Sequence, residues 1–445
     1  MTKTKQLINT IYNRSQYITP KDRDNGLTGI LDFISTCFAA QNKEAVHSLI
    51  RFAINEDGKG KSSIIGYEGE VTSSNAALIN GFIAHILDFD DVHSSMRGHP
   101  SAIILPSLLS ISEHNNQTFN HFIDSYIIGV EMATQIGETI GSEHYENGWH
   151  ASSTIGLISA TVACSYYLNL DTNDFANAIG IAVTQASGLR GQFGSDIKAL
   201  HIGLAAQKAY WSTRVAQKQI LKGNQNMLDD FYGTFGNSQH MPETLIEKFG
   251  KTWSITNPGL WFKLYPCCSA NYHLIDAINS IKATNVIPID KIETIDIIFP
   301  SNGDAALKYT HPTTGQEGAF SAEYVSSLLL LGKHLNPEQF LNNPIQSEIH
   351  ELMAKVHRLY DDTIVPNKFA LPKNRFTIVK IKMNDGTIYK KRIDTPKGSP
   401  YNPLAPEEHL NKLKHSSPIH WENIKQFYQI INTDALHQFI HKGVC

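Results

Sequence analysis

Five cysteines in 445 residues are too few, and too irregularly placed, for a disulfide framework. Cys37, Cys164, Cys267, Cys268 and Cys445 read instead as reduced thiols, as in a cytoplasmic protein. No run of about 18 apolar residues occurs, so no helical membrane span is expected. The opening stretch, MTKTKQLINTIYNRSQYITP, is polar and lacks the apolar centre of a secretory signal. An excess of positive charge is missing too. Lys+Arg 38 against Asp+Glu 42 leaves a net charge of -4, so no global basic field invites nucleic acid. The chain also has no CxxC, no HExxH, no Walker loop and no GxGxxG, which leaves zinc, phosphate-loop and dinucleotide sites without support.

What is present is apolar and helical. With 41% hydrophobic and 18% charged residues, the chain can bury a large core, and its length suggests two or three domains. From about Asn25 to Tyr265, segments such as SSNAALINGFIAHILDF, FNHFIDSYIIGVEMATQI and IGLISATVACSYYL are apolar nearly all round, as helices inside a large α-domain are. Small residues, among them Ala151, Gly156 and Ala160, permit close helix contact. After Asn285 the texture changes. IETIDIIF alternates like a half-buried strand, and FTIVKIKMNDGTIYKKRI reads as two strands about an Asn384-Asp385-Gly386 turn. From Pro406 the pattern is helical again, after the proline-rich connector KGSPYNPLAP. The fold class expected is therefore mainly α with an α+β part. A helical domain spans 1–265, a smaller α+β domain 266–397, and residues 398–445 return to the helical domain.

Four segments bring polar residues to predicted helix ends. In LDFDDVHSSMRGHPSA, residues 87–102, a nearly charge-free helix runs straight into Asp88, Asp90, Asp91, His93, Arg97 and His99. His85 and Asp88 are three apart on the predicted helix, so they can share a face. Pro100 can open the next helix, which places His99 where unpaired N–H groups collect positive charge. In ENGWHASSTIG, His150 also precedes a helix, with Ser152 or Ser153 as alternative caps. In QASGLRGQFGSDIKALHIGLAA, glycines surround Arg190, Lys198 and His201, and Lys198 can hold a carboxylate as a point charge. In FKLYPCCSANYHLIDAI, Lys263 and Tyr265 precede a helix carrying His273 and Asp276. Cys267-Cys268 is a poor chelating pair, and with 20 histidines accidental metal-like spacings are expected.

Taken in order, these blocks resemble the MmgE/PrpD family: NGFIAHILDFDD…GHPSA, GWHASSTIG, ASGL…DIKALHIGLAA, FKLYPCCSANYH and EGAFSAEY. The resemblance runs from about residue 20 to the YNPL segment. The family includes 2-methylcitrate dehydratase, cis-aconitate decarboxylase and iminodisuccinate epimerase. Membership implies a large helical domain, a smaller α+β lid, a homodimer, and a site in the cleft between the domains that needs no metal or organic cofactor. Carried over motif by motif, it implies site positions at Asp88, His99, His150, Lys198 and His273, with Tyr324 of FSAEY a further candidate. One departure stands out. Decarboxylase-like members usually carry Thr after DFDD, and here the residue is Val92. The wording also differs from the N-D-T-W…GHPSDN of the dehydratase.

The shared chemistry is proton movement beside a carboxylate. It needs cations for the substrate, for which Lys198, Arg97 and Arg190 are the candidates, and an acid or base near neutral pH, which histidine supplies with an ordinary pKa of about 6.5. Asp88 can orient a histidine or hold a second charge in place. The expectation is a cofactor-independent lyase that dehydrates or decarboxylates a small di- or tricarboxylate. An epimerase and an inactive carboxylate-binding homologue are the alternatives. No nucleic-acid or membrane partner is expected.

Overall fold

The computed structural model describes residues 1–416 apart from Asn42, Asn116, Phe369 and Leu371. The part of the expected C-terminal return beyond residue 416, with Cys445, lies outside the described residues.

The first part of the chain is a stack of buried helices. At its centre lie the helices Ser73–His85, Ser101–Ser112, Ala151–Tyr167 and Asp196–Gln217, each packed against at least two of the others. Every residue of the Ser101–Ser112 and Ala151–Tyr167 helices is buried, which is why their sequences show no polar face. Small residues set the spacing. A Cβ on Gly81 would stand 3.0 Å from the Gly203 Cα, and one on Gly203 would stand 2.3 Å from the Leu78 carbonyl oxygen. The helices Ser73–His85 and Asp196–Gln217 therefore meet backbone to backbone, which only glycine permits. A small antiparallel hairpin, β1 (Ser62–Ile64) with β2 (Tyr67–Val71), leads into the first of these helices, and Thr72 caps it by accepting from the Asn75 N–H.

The second part is built on a four-stranded sheet of order β4-β3-β5-β6, with β3 Ile292–Phe299, β4 Val356–Tyr360, β5 Thr377–Met383 and β6 Ile388–Ile393. Strand β3 pairs parallel with β4 and antiparallel with β5. Ile295, Ile297 and Phe299 of β3 and Val379 and Ile381 of β5 are fully buried against the helices Tyr272–Thr284 and Ala322–Leu330. The two strands about Asn384-Asp385-Gly386 form the expected hairpin, with Gly386 at φ 88. Arg358 binds this unit together internally, donating to Asp304 at 2.9 Å and to Glu323 at 2.6 Å.

The described helix Pro406–Ser416 packs back on the helix Pro20–Ala39 of the first part. Mainly helical structure with a smaller mixed-sheet part is thus the architecture. No helix among the described residues is long and apolar enough to cross a membrane.

Candidate active site

The helix Ser73–His85 ends in a turn that closes when the Asp88 N–H donates to the His85 carbonyl at 2.9 Å. Asp88 then takes a left-handed conformation, φ 47, and swings the chain out of the helix axis. Four residues on, Val92 exchanges two backbone hydrogen bonds of 2.9 Å with Trp261. The loop Asp88–Val92 is therefore held at both ends and lies between the helical stack and the second part of the chain.

Two lysines meet on one oxygen of Asp88. The Lys263 ammonium donates to Asp88 Oδ1 at 2.6 Å and to the Asp88 carbonyl at 2.7 Å. Lys198 Nζ stands 3.1 Å from the same Oδ1. Burial by itself would raise the Asp88 carboxyl, but Lys198, Lys263 and His99 outweigh it and hold Asp88 well below the ordinary carboxylate range. Burial likewise disfavours the Lys263 ammonium, and Asp88 and Asp90 more than reverse that. Lys198 lies in the first turn of the helix Asp196–Gln217, where the helix dipole repels an ammonium. Asp88 supplies the compensation.

Beside this centre stand histidines fixed by Asp90. Nδ1 of His85 donates to Asp90 Oδ1 at 2.9 Å, and Nδ1 of His99 lies 3.1 Å from Asp90 Oδ2. An ionised carboxylate only accepts, so the His85 ring carries its proton on Nδ1. His99 Nε2 lies 3.5 Å from Asp88 Oδ1, so the ring stands between the two carboxylates. Burial lowers the His99 imidazole and takes His85 down to about 4, despite Asp90 pulling upward in both cases. His150 sits directly before the helix Ala151–Tyr167, and burial with the nearby Lys198 charge holds it well below its ordinary value. Its Nδ1 is 3.3 Å from His201 Nδ1, which leaves Nε2 as the nitrogen available to a ligand. Near neutral pH these are neutral imidazoles in a cationic setting.

The centre opens into a cleft of about 990 Å³. Its walls come from both parts of the chain: Asp88, Val92, Arg97, His99, His150, Arg190, Lys198 and Lys263 from the first, and Cys268, Phe320 and Arg375 from the second. The Phe193 and Phe320 rings meet there tilted by 38°, with centroids 5.7 Å apart, and Lys198 Nζ stands 5.1 Å from each. Contacts between the two parts close one end. Lys308 donates to the Gly191 carbonyl at 2.8 Å, and Gln316 to Asp196 at 2.6 Å. Six described non-glycine residues have positive φ, and Asp88, Arg97, Asn302 and Asn374, four of the six, line this cleft. Such concentrated strain is a mark of functional sites.

Asp88, His99, His150 and Lys198 converge here, and Arg97 and Arg190 reach the same cleft. Arg97 is exposed at its mouth. Arg190 is partly committed. Its guanidinium stacks 3.7 Å from the Tyr145 ring centroid and donates to the carbonyls of Tyr145 and, across the cleft, Ala305. Its Nε–H is buried without a protein acceptor. His273 and Tyr324 do not line the cleft. His273 is fully buried, with Trp261, a cleft residue, 6.4 Å away between ring centroids. Asp276, three residues on, accepts instead from the Lys397 N–H at 2.6 Å. Tyr324 packs in the core of the second part and donates to the Gln339 carbonyl at 2.7 Å. Lys263 stands closer to Asp88 than any of the expected site residues does. The sequence placed it beside the FKLYPCC block without giving it a role. A lysine preceding PCC carries no periodic or spacing signal, so only its destination reveals it.

Ligand atoms of His85, Asp88, Asp90 and His99 lie within 4.8 Å of one another, a spacing that could hold a metal ion. The donor chemistry is against it. Asp88 Oδ1 already faces two ammonium groups, and a divalent cation there would have to displace or oppose them.

The MmgE/PrpD N-terminal domain model matches residues 17–241, and the MmgE/PrpD C-terminal domain model matches residues 265–432. The chain is similar to cis-aconitate decarboxylase of Mus musculus, 25% identical over 403 residues, covering 86% of this chain and 80% of that protein. It is similar to cis-aconitate decarboxylase of Aspergillus terreus, 24% identical over 414 residues, 86% of this chain and 83% of that one. It is also similar to cis-aconitate decarboxylase of Homo sapiens, 24% identical over 424 residues, 90% of this chain and 85% of that one.

Proposed function

The chain belongs to the MmgE/PrpD family, and from that premise we propose that it is a cofactor-independent lyase acting on a small di- or tricarboxylate, with decarboxylation of a cis-aconitate-like substrate as the first reading. The observation that carries the proposal is the surplus of positive charge in the cleft. Arg97, Arg190, Lys198, Lys263, Lys373 and Arg375 line it against the acids Asp88, Glu146 and Asp362. A ligand with two or three carboxylates is the natural complement.

In this reading Lys198 and the arginines hold the carboxylates that stay. The departing carboxylate leaves as CO₂, and its bonding electron pair moves through the allylic system onto a carbon beside a second carboxylate. That carboxylate takes up the charge as an enolate, which the ammonium groups stabilise. A proton then reaches the carbon from the Lys198 ammonium, whose amine is reprotonated from water, and the neutral His99 and His150 are the bases for the reverse transfer. His99, His150 and Asp88 are the proposed catalytic set, with Lys198, Arg97 and Arg190 as binding groups. His273 and Tyr324 are proposed to support the wall from behind. The second part acts as a lid in this scheme, and the protein works as a homodimer in a reducing, cytoplasmic setting; light scattering at micromolar concentration tests the dimer.

The epimerase alternative uses the same base without loss of CO₂. Incubation with cis-aconitate, citrate, 2-methylcitrate and iminodisuccinate in D₂O, followed by NMR, separates the readings. A new alkene or CO₂ supports the lyase. Deuterium exchange without net loss supports the epimerase, and binding without exchange supports an inactive carboxylate binder. Activity that disappears in EDTA and returns with a divalent ion would overturn the metal-free mechanism.

A further inference from the structure

We propose that Lys412, in the C-terminal helix Pro406–Ser416, is a positioning residue that holds the Asp88–Val92 loop from behind. The inference rests on the lyase reading for its kinetic arm only. Lys412 arrives 380 residues after its partner, Asp32, and its ammonium donates to Asp32 Oδ1 at 2.6 Å. It also donates to the carbonyl of Phe89 at 3.1 Å and stands 4.3 Å from the Phe89 ring centroid. Phe89 is the residue next to Asp88, so the same short loop is gripped on both sides. Lys198 and Lys263 hold Asp88 from the cleft, and Lys412 holds the backbone one residue on.

The rear centre is sealed. The side chain of Lys412 is 1% exposed and that of Asp32 is 0% exposed. Asp91, also in the loop, points into it, with its carboxyl bonded to Ser101, whose hydroxyl meets Tyr126 Oη at 2.5 Å. Asp32 Oδ2 and Asp91 Oδ1 lack hydrogen-bond partners. Burial, with Asp32 beside it, pushes the Asp91 carboxyl well above its ordinary value. Burial and Asp32 thus both favour the neutral form of Asp91, and the ion pair of the centre is Asp32 with Lys412. Taking away the ammonium leaves a buried negative charge directly behind the loop and frees the Phe89 carbonyl. The consequence for the site is a displaced Asp88, and with it a displaced pair of lysines. A misplacement on the order of 1 Å at a catalytic group costs up to about 100-fold in rate.

The test uses the full chain with Lys412→Met and with the double variant Asp32→Asn/Lys412→Met, in which no buried charge is left unpaired. Turnover of cis-aconitate, melting temperature and amide hydrogen exchange over residues 86–97 are measured for each. Lys412→Met is expected to lower kcat by about 10- to 100-fold while KM moves less than about threefold, and to speed exchange in that segment. The double variant is expected to regain the melting temperature without regaining kcat. Recovery of both in the double variant would mean that Lys412 only neutralises Asp32, and the proposal falls. If the unsubstituted protein turns over none of the carboxylates, the lyase reading fails by itself. Hydrogen exchange in the double variant then decides the role of Lys412, and unchanged protection of 86–97 overturns it.

Discussion

The loop Asp88–Val92 has a buried carboxylate–ammonium pair on each face, and both pairs close at 2.6 Å. In front, Asp88 shares one oxygen between Lys263 and Lys198, and the group opens onto the cleft. Behind, Asp32 holds Lys412 in a centre that no solvent reaches. The front has more ammonium than carboxylate. The back has more carboxyl than ammonium, and burial with Asp32 beside it favours the neutral form of Asp91. The same ion pair thus does two jobs. Where charge is left over and a cavity adjoins, an anion can bind; where the charge is balanced and the space is filled, the pair is a fastening.

Asp88→Asn tests this contrast most severely. It removes the carboxylate that two buried ammonium groups share, and uncompensated buried charge costs about 3–5 kcal/mol. Turnover should vanish and the denaturation midpoint should fall sharply; a variant with normal stability would show that the lysines relax into water. Next in size is His99→Gln, which should keep the melting temperature within a few degrees yet lower kcat by about 10²–10⁴-fold. His273→Gln should do the opposite, losing stability with kcat nearly kept in the folded fraction. If kcat collapses in a stable His273→Gln protein, the acid–base assignment moves to His273.

Lys198→Ala should raise KM by roughly 10- to 150-fold, the equivalent of a charge-assisted hydrogen bond of about 1.5–3 kcal/mol, provided substrate and transition state lose it equally. Acidification should act through the neutral histidines. His85 and His93 are lowered to about 4 by burial, so between that value and their unfolded pKa of about 6.5 the unfolded chain binds more protons. Stability is fully present above pH of about 6.5 and declines as pH falls toward 4, by up to about 3 kcal/mol for each ring. A melting temperature that stays flat across this window would show that the rings are charged in the folded protein. The smallest effect belongs to Asp91→Asn. A carboxyl already neutral loses little on becoming an amide, so stability should change by less than about 1 kcal/mol, whereas an ionised Asp91 would make the change large in either direction.

Much of the fold was legible because its signals are local. Apolar runs with small residues made the buried helices readable, and alternation in IETIDIIF together with Asn384-Asp385-Gly386 marked the strands of the second part. Polar residues at helix ends pointed to Asp88, His99, His150 and Lys198, all of which line the cleft. The same logic pointed to His273, and there it met a limit. Spacing places His273 and Asp276 near one another on a helix, but which side of that helix faces the cleft depends on how it packs on the sheet, and packing turned His273 inward.

The sequence by itself determined which segments would be helix and strand, since backbone preference and hydrophobic period act over a few residues. It also placed acids, histidines and cations at element ends. Tertiary structure alone decided that Lys263, 175 residues from Asp88, and Lys198 would share one of its oxygens, and that Lys412 would return to the back of the same loop. Charges interact across space with no memory of chain order. Their pairing exists only once the helices, set at glycine spacing, have brought distant segments to within a few ångströms and excluded the water that would screen them.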